Sequence, residues 1–245
     1  MRVTRVHVEL PLVAGREIEL PENAANHLVR VLRLGVGDVC TLFNGDGHDY
    51  PAHLVEVGKR LVRVGIGPGC LVDTESPLRV VLLQGVARGE KMDLILQKAT
   101  ELGVASLHPL YSQRSEVKLD GPRAEKRLVH WRGVVASACE QSGRARVPDV
   151  ATPLPLVQAL AELEDGGLRV FLDPDAAESL GQASLAPSPH ACIAVGPEGG
   201  WSPRDIDQLR TAGFIGMRLG PRVLRTETAG LAAISALQVL HGDLG

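Results

Sequence analysis

The chain of 245 residues has few aromatic side chains, few cysteines and no long apolar run. Aromatic residues make up only 3% of it, which argues against a protein that binds nucleic acid mainly by stacking successive bases on aromatic side chains. No segment approaches the ~18 consecutive apolar residues of a membrane helix. The amino terminus alternates polar and apolar residues where a signal peptide would be continuously apolar. We therefore expect a cytoplasmic protein with no membrane partner.

Metal-binding and common nucleotide-binding motifs are also missing. The cysteines Cys40, Cys70, Cys139 and Cys192 form no C-x-x-C pair, and the histidines show no H-E-x-x-H spacing. We expect isolated structural thiols and no metal. The P-loop and G-x-S-x-G motifs do not occur, which argues against a P-loop NTPase and an α/β-hydrolase. The glycine-rich turn at 65–69 is not followed by a helical pattern, so it does not predict a dinucleotide site.

The charge of the chain is unevenly distributed. Residues 77–150 carry 12 Lys and Arg against 8 Asp and Glu, whereas residues 151–245 carry 6 against 11. The formal net charge of -3 does not by itself indicate a polyanionic partner. On charge alone two interpretations of the basic middle segment stay open. It is either a solvated helix face with i,i+4 ion pairs or a basic surface that binds a polyanion.

Hydrophobic periodicity divides the chain into two regions. Up to about residue 75 it predicts short alternating strands and one helix at 21–35, which together indicate a small β-rich domain, a barrel. Beyond that point strands and helices alternate, as in an α/β fold. We predict one domain at 1–74 and a second at 75–245. In the second, the predicted strands are 78–86, 105–111, 168–173, 190–196 and 216–220, and the predicted helices are 89–103, 122–142, 203–212 and 227–241.

The last two predicted strands both run into a Gly-Pro turn and then a helix. After the strand at 190–196, the sequence "GPEGGWSPRD" places Ser202 and Asp205 as the start of a helix, with Pro203 between them. After the strand at 216–220, "GPRVLRTET" places Thr226 as the N-cap of the last helix. Glycine turns at the carboxyl ends of neighbouring strands typically build a ligand crevice. Tight connections and plain surface arginines remain the alternatives.

Several segments together resemble the RsmE family of 16S rRNA methyltransferases, which belongs to the SPOUT class. They are 27–38, 88–104, 138–150, 194–202 and 219–238, so the resemblance spans essentially the whole chain in order. It implies a PUA-like β-barrel that binds RNA, followed by an α/β SPOUT methyltransferase domain with a carboxyl-terminal trefoil knot. It further implies a homodimer that transfers a methyl group from S-adenosylmethionine to N3 of one uridine in 16S rRNA.

The resemblance places the methyl donor against three loops of the second domain. Position 173 is Asp, where the family more often has His or another polar residue, so only the backbone of that loop is expected to contribute. The residues expected to bind the donor are Leu172, Pro174, Gly196, Pro197, Glu198, Gly199, Gly200, Leu219, Gly220, Arg222, Val223, Leu224, Arg225, Thr226 and Thr228.

The chemistry of uracil methylation suggests which of these side chains are catalytic. Loss of the N3 proton spreads negative charge over the two carbonyl oxygens of the ring, and a fixed guanidinium stabilises that charge. Arg225 is the candidate for this role, while Arg222 is a candidate for binding a phosphate or the donor's carboxylate. Glu198 and Glu227 are the carboxylates available to accept the proton or contact the sulfonium. Glu227 is equally well explained as a first-turn carboxylate that the helix dipole favours.

The expected partner is 16S rRNA within the small ribosomal subunit. Two alternatives remain: a SPOUT methyltransferase with a different RNA target, and a non-catalytic rRNA-binding assembly factor. The residues that resemble RNA-contacting segments of the family are Arg30, Arg33, Arg88, Lys91, Arg114, Gln141, Ser142, Gly143, Arg144 and Arg146.

Overall fold

The computed structural model describes residues 4–59, 61–117, 121–164, 166–185 and 189–245. It contains two compact units. Unit 1 comprises residues 1–75 and 136–147, and unit 2 comprises residues 76–135 and 148–245. The division predicted from the sequence, 1–74 and 75–245, therefore differs mainly in the segment 136–147, which packs within unit 1.

Hydrogen bonds explain why residues 136–147 belong to unit 1. The Arg5 guanidinium donates to the Cys139 carbonyl at 2.7 Å and pairs with Asp49 at 2.7 Å. The backbone N–H of His7 donates to the Glu140 carboxylate at 2.9 Å. Periodicity identifies a helix but not its distant partners, so the sequence did not reveal this assignment.

Unit 1 is built on a mainly antiparallel sheet with the order β1-β3-β4-β5-β2, in which β6 pairs with β4 and only the β1–β3 ladder is parallel. The apolar side chains that alternate along these strands form one core with Leu28. The predicted helix at 21–35 is a short helix α1, Glu22–Asn26, continued by a π-helical turn, His27–Val31. Closure of the sheet into a barrel remains a prediction. The strands are β1 Arg5–His7, β2 Glu17–Glu19, β3 Val39–Phe43, β4 His48–Val57, β5 Val62–Ile66 and β6 Cys70–Leu71.

Unit 2 contains, within the described residues, a sheet of eight strands whose ladders are all parallel. The order is β10-β8-β7-β13-β11-β14-β12, with β9 also paired to β8. The predicted α/β class is confirmed. The strands of only two residues were not predicted, because they are too short to show a period. The strands are β7 Arg79–Gly85, β8 Val104–Tyr111, β9 Asp149–Val150, β10 Leu154–Pro155, β11 Leu168–Leu172, β12 Glu178–Ser179, β13 His190–Val195 and β14 Ile215–Arg218.

Four of the helices in or entering unit 2 start within two residues of their predicted positions, whereas helix α4, Leu156–Ala161, was not predicted. The capping box of Ser202 and Asp205 is present, with Pro203 in the first turn of its helix. The prediction of Thr226 as an N-cap was wrong: the N-cap is Arg225, and Thr226 is the first helical residue. On the last helix, Ile234 and Leu237 are buried in the core. The helices are α2 Lys91–Glu101, α3 Gly121–Ser142, α4 Leu156–Ala161, α5 Pro203–Thr211 and α6 Thr226–His241.

Strand β14 lies between two strands that are consecutive in the chain. It pairs with β11 on one edge and with β12 on the other, and Leu172 and Glu178 both lie opposite Met217. The five-residue connection 173–177 must therefore cross β14. The Asp173 N–H donates to the Met217 carbonyl at 3.0 Å, and the Arg218 guanidinium donates to the Ala176 carbonyl at 2.7 Å. The end of β14 is thus bonded to the segment that passes over it.

The cysteines are free, as expected of isolated thiols. Burial raises the pKa of Cys40 to about 11 and the pKa of both Cys139 and Cys192 to about 12. These three thiols are therefore protonated and unreactive at neutral pH. Among the described residues, no helix is both long and apolar enough to cross a membrane.

Candidate active site

Three loops at the carboxyl edge of the unit 2 sheet enclose a cavity of about 580 Å³. They follow β11, β13 and β14, and we refer to the last two as the Gly196–Gly200 loop and the Leu219–Arg225 loop. The volume lies in the range of about 300–1,000 Å³ that small-molecule sites occupy. Of the residues expected to bind the methyl donor, Gly199 and Thr228 do not line this cavity, and the others do. The structure therefore brings most of these residues together at one cavity, and their binding of the donor stays a prediction.

The Gly196–Gly200 loop is held closely against the end of β7. A Cβ added at Gly85 would lie 2.5 Å from the Pro197 nitrogen, so only glycine fits at that position. Gly200 has a φ of +67°, which favours glycine, and its N–H donates to the Pro197 carbonyl at 2.8 Å. The Arg114 guanidinium donates to the Gly199 carbonyl at 3.2 Å. These contacts fix the backbone that forms one wall of the cavity.

A buried hydroxyl connects this loop to the start of α6. Thr226 Oγ1 donates to the Gly196 carbonyl at 2.7 Å and accepts from Gln84 Nε2 at 3.0 Å. Gln84 is 1% exposed and also donates to the Gly85 carbonyl at 3.0 Å. Sequence reasoning missed Gln84. Its signal was a polar residue in the otherwise apolar strand β7, a position that requires buried hydrogen-bond partners.

One lysine joins the two carboxylates that were predicted to be catalytic. Lys91 Nζ lies 3.3 Å from Glu198 Oε1 and 3.6 Å from Glu227 Oε2. Burial disfavours the charged form of Glu198, but hydrogen bonds from the Arg88 N–H, from its own N–H and from Lys91 outweigh that effect and lower its pKa. Glu227 Oε2 is buried and has no hydrogen-bond donor among the described residues. The two carboxylates therefore differ: Glu198 is well satisfied and Glu227 is not.

The Leu219–Arg225 loop is far less constrained than the Gly196–Gly200 loop. The side chains of Arg222 and Arg225 are exposed, and within the part of the chain that the structure describes neither makes a hydrogen bond or an ion pair. Val223 is 80% exposed beside them. Gly220 has a φ of +66°, which lets the chain turn after β14. Two guanidinium groups therefore line the cavity with all their donors available.

The predicted RNA-contacting residues of unit 2 lie close to this cavity. Lys91 and Arg114 line it. Arg88 is exposed, and its guanidinium forms an ion pair with Glu116 while its backbone N–H bonds to Glu198. Lys91 thus forms ion pairs with two carboxylates of the cavity. The prediction that it contacts RNA did not include these ion pairs.

The remaining predicted RNA-contacting residues lie in unit 1. Arg30, Arg33, Gln141 and Arg146 are exposed, and Ser142 and Gly143 are half-buried. Arg144 corrects the prediction: it is 4% exposed, and its Nε donates to Glu75 at 3.1 Å. Its guanidinium is committed to an ion pair with Glu75 within unit 1, so it is not available to contact RNA.

The described residues contain no group of three or more His, Cys, Asp or Glu side chains that could hold a metal ion.

Comparison with known families supports the resemblance seen in the sequence. A model of an RNA methyltransferase domain matches residues 74–238, and a model of an RNA methyltransferase PUA domain matches residues 20–67. The ribosomal RNA small subunit methyltransferase E of Buchnera aphidicola from Schizaphis graminum is 30% identical over 245 residues, covering 99% of this chain and 98% of that protein. The corresponding protein of Bacillus subtilis is 32% identical and covers 89% of this chain and 90% of its own length.

Solved structures agree over the full length of the chain. A ribosomal RNA small subunit methyltransferase E from Neisseria gonorrhoeae, bound to S-adenosylmethionine, matches with a TM-score of 0.94, 40% identity and 100% coverage of both chains. A methyltransferase from Legionella pneumophila, also with bound S-adenosylmethionine, matches with a TM-score of 0.95, 37% identity and the same coverage.

Proposed function

The chain belongs to the RsmE family of ribosomal RNA methyltransferases, and from this premise we propose that it transfers a methyl group from S-adenosylmethionine to N3 of one uridine in 16S rRNA. The observation that carries the proposal is the cavity at the carboxyl edge of the sheet, where two glycine loops meet two arginine side chains that have no partner among the described residues. Relatives of 37–40% identity were solved with this donor bound.

The residues present fit the methyl donor. Exposed backbone of the Gly196–Gly200 loop and of the segment from Leu172 to Pro174 suits the polar edge of adenine, while Leu219, Val223 and Leu224 offer apolar contacts. When bound, S-adenosylmethionine supplies an electrophilic methyl group on a sulfonium. The Glu198 and Glu227 carboxylates line the same cavity and are available to contact the sulfonium.

Arg225 is proposed to stabilise the uracil ring as it loses its proton. In the reaction the N3–H bond breaks and N3 keeps its electron pair, the N3–CH3 bond forms, and the sulfur keeps the electrons of the broken S–CH3 bond. Negative charge therefore develops on the uracil oxygens in the transition state. A guanidinium without another partner is available to bind that charge, and Arg222 is proposed to bind a phosphate or the carboxylate of the donor.

Glu227 is proposed as the proton acceptor in preference to Glu198. Glu198 already accepts hydrogen bonds from the Arg88 N–H and from Lys91, which hold its negative charge and make it a weak base. Glu227 Oε2 accepts no hydrogen bond from the described residues, so the Glu227 carboxylate is the one of the two left to accept a proton. Lys91 holds both carboxylates and, by its position, orients Glu227.

Residues outside the catalytic groups are proposed to bind the RNA substrate. The exposed arginines Arg30, Arg33 and Arg146, with Gln141, Ser142 and Gly143, are proposed to contact the RNA of the small subunit together with Arg88, Lys91 and Arg114. Such binding would weaken steeply with salt.

We also propose a PUA-like barrel for unit 1, a trefoil knot around β14, a homodimer and a cytoplasmic location. The crossing of β14 by the connection 173–177 supports the knot.

The proposal is tested by incubating unmethylated small subunits with the purified protein and S-adenosylmethionine, then mapping the RNA by reverse transcription. Methylation at N3 blocks Watson–Crick pairing, so we expect a stop at one uridine. Arg225→Ala should abolish the stop, with a rate loss of about 10²–10³-fold. A stop at another nucleotide would overturn the assignment of the target, and failure of the wild-type protein to bind the donor would overturn the enzyme.

A further inference from the structure

A second cavity of about 490 Å³ lies beside the proposed active site in unit 2. It opens at the carboxyl ends of β8 and β10 and at the first turn of α5. The function proposed above does not use it. The residues that line it are Tyr111, Ser112, Gln113, Pro155, Leu156, Val157, Arg204, Asp205 and Gln208.

The two cavities are separated by a wall that they share. Gln113 lines the second cavity, and its neighbour in the chain, Arg114, lines the first. On α5, Arg204 faces the second cavity and Ile206 the first. The wall is fixed, because the Gln113 N–H donates to the Asp205 carboxylate at 3.2 Å. The two cavities therefore lie on opposite sides of the same two chain segments.

The side chains of the second cavity suit a nucleobase with its phosphate. Gln113, Arg204 and Gln208 offer amide and guanidinium groups that, within the described part of the chain, make no hydrogen bond or ion pair. Pro155 is exposed and Val157 is 56% exposed, which leaves an apolar surface for the face of a base. Amides and guanidinium groups read base edges and bind phosphates, and apolar surfaces pack against base faces.

The charge of the second cavity also favours a nucleic acid over a cationic or acidic peptide. Its acidic residue, Asp205, is 3% exposed and is bonded to the N–H groups of Ser202 and Gln113. Arg204 is exposed and has no counter-ion among the described residues. The charge available to a ligand is therefore positive.

We propose that the second cavity binds an unstacked nucleotide adjacent to the target uridine. The proposal rests on the proposed function, because it takes the first cavity as the place of the target base. A target presented for reaction at N3 has to leave its stack, and its neighbour in the strand then loses a stacking partner. The second cavity supplies that neighbour with a substitute surface and with hydrogen-bond partners. This contact adds sequence selectivity that the first cavity alone does not provide.

Crosslinking tests the occupant directly. p-Benzoylphenylalanine in place of Val157 is irradiated in the full chain bound to unmethylated small subunits, and the crosslinked nucleotide is mapped by reverse transcription. We expect a crosslink within one or two nucleotides of the methylated uridine. The same group in place of Arg210, which is exposed on α5 outside the second cavity, should not give it. A crosslink to a ribosomal protein, to a distant RNA segment or to nothing would overturn the proposal.

A kinetic comparison separates this proposal from the proposed function. Arg204→Ala should raise the apparent KM for subunits roughly tenfold, with kcat and donor affinity within about twofold of wild type. The matched variant Arg210→Ala removes the same charge from the same helix and should change KM less than about twofold. Equal effects of the two variants would show that only overall charge matters. Failure of the proposed function appears instead as a wild-type protein that gives no stop at the uridine.

Discussion

The Gly196–Gly200 loop and the Leu219–Arg225 loop share one sequence design and have opposite structures. Both follow a parallel strand, begin with Gly-Pro and lead into a helix. The first is bonded to Arg114 and Thr226 and packs on Gly85, whereas the exposed side chains of the second make no polar contact among the described residues. The difference teaches that this cavity combines two kinds of wall. The Gly196–Gly200 loop is fixed by its contacts, whereas the side chains of the Leu219–Arg225 loop remain available to a ligand.

The largest expected effect on stability and donor affinity comes from displacing the Gly196–Gly200 loop. Gly85→Ala puts a methyl group 2.5 Å from the Pro197 nitrogen, so the loop or β7 has to shift. We expect the free energy of unfolding to fall by roughly 1–3 kcal/mol. Donor affinity should fall by about 100-fold, because the loop forms a wall of the cavity. Thermal denaturation and calorimetric titration with S-adenosylmethionine measure the two effects.

The control for this variant is Gly133→Ala on α3, where a Cβ meets no atom within 4 Å. It should bind the donor as wild type does and gain up to about 1 kcal/mol from helix propensity. A Gly85→Ala protein with unchanged donor affinity would mean that the loop is not a fixed wall.

The second expected effect distinguishes the two carboxylates joined by Lys91. Glu227→Gln should lower the single-turnover rate by about 10²-fold or more at neutral pH, because a general base is lost. The matched variant Glu198→Gln should lower it less than tenfold. Above the pKa of uracil N3 the solvent removes the proton. The difference in single-turnover rate between wild type and Glu227→Gln should therefore shrink as pH rises. A deficit that does not change with pH would show that Glu227 only supports the structure.

A smaller effect is expected from the hydroxyl that connects the two loops. Thr226→Val removes the hydrogen bond to the Gly196 carbonyl and leaves the buried Gln84 amide without one partner. We expect a loss of about 1–3 kcal/mol in the free energy of unfolding, measured by urea denaturation. Thr226→Ser keeps the hydroxyl and should recover most of it. Equal stability of the valine and serine variants would contradict the role assigned to this bond.

The smallest expected effect is on the pH dependence of the free energy of unfolding, and it comes from Glu198 in the Gly196–Gly200 loop. The pKa of Glu198 in the folded protein lies below its ordinary value of 4.5. Its contribution to stability is therefore fully present above pH 4.5 and is lost as pH falls through the lower folded pKa. Glu198→Gln should flatten the stability curve in that acid range and leave it unchanged near pH 7. Parallel curves for both proteins would contradict the contacts assigned to Glu198.

The sequence predicted the elements whose signals are local. Neighbouring residues alone indicate strand β7, the capping box at Ser202 and the two Gly-Pro turns. The structure contains all three. The prediction that the glycine loops meet at one cavity rests on the rule that parallel strands bring their carboxyl ends to one edge of the sheet.

What the sequence did not predict depends on partners that are distant in the chain. Thr226 satisfies the usual preference for an N-cap, but its hydroxyl is used by Gly196. Arg144 looked like one of several basic residues until its burial against Glu75 was known. The closeness of Glu198 and Glu227 depends on Lys91, which is more than 100 positions from either of them. No period or spacing contains such information.

The position of β14 between β11 and β12 also sets an order of events during synthesis. A ribosome releases β11, the connection 173–177 and β12 before it has made residues 215–218, so the edge of β11 has no partner on that side until β14 has been made. An unpaired edge is prone to association with other chains. The cavity walls contributed by the Leu219–Arg225 loop arise later still. A nascent chain that has not yet reached β14 therefore contains all residues of unit 1 but lacks the cavity walls that follow β14.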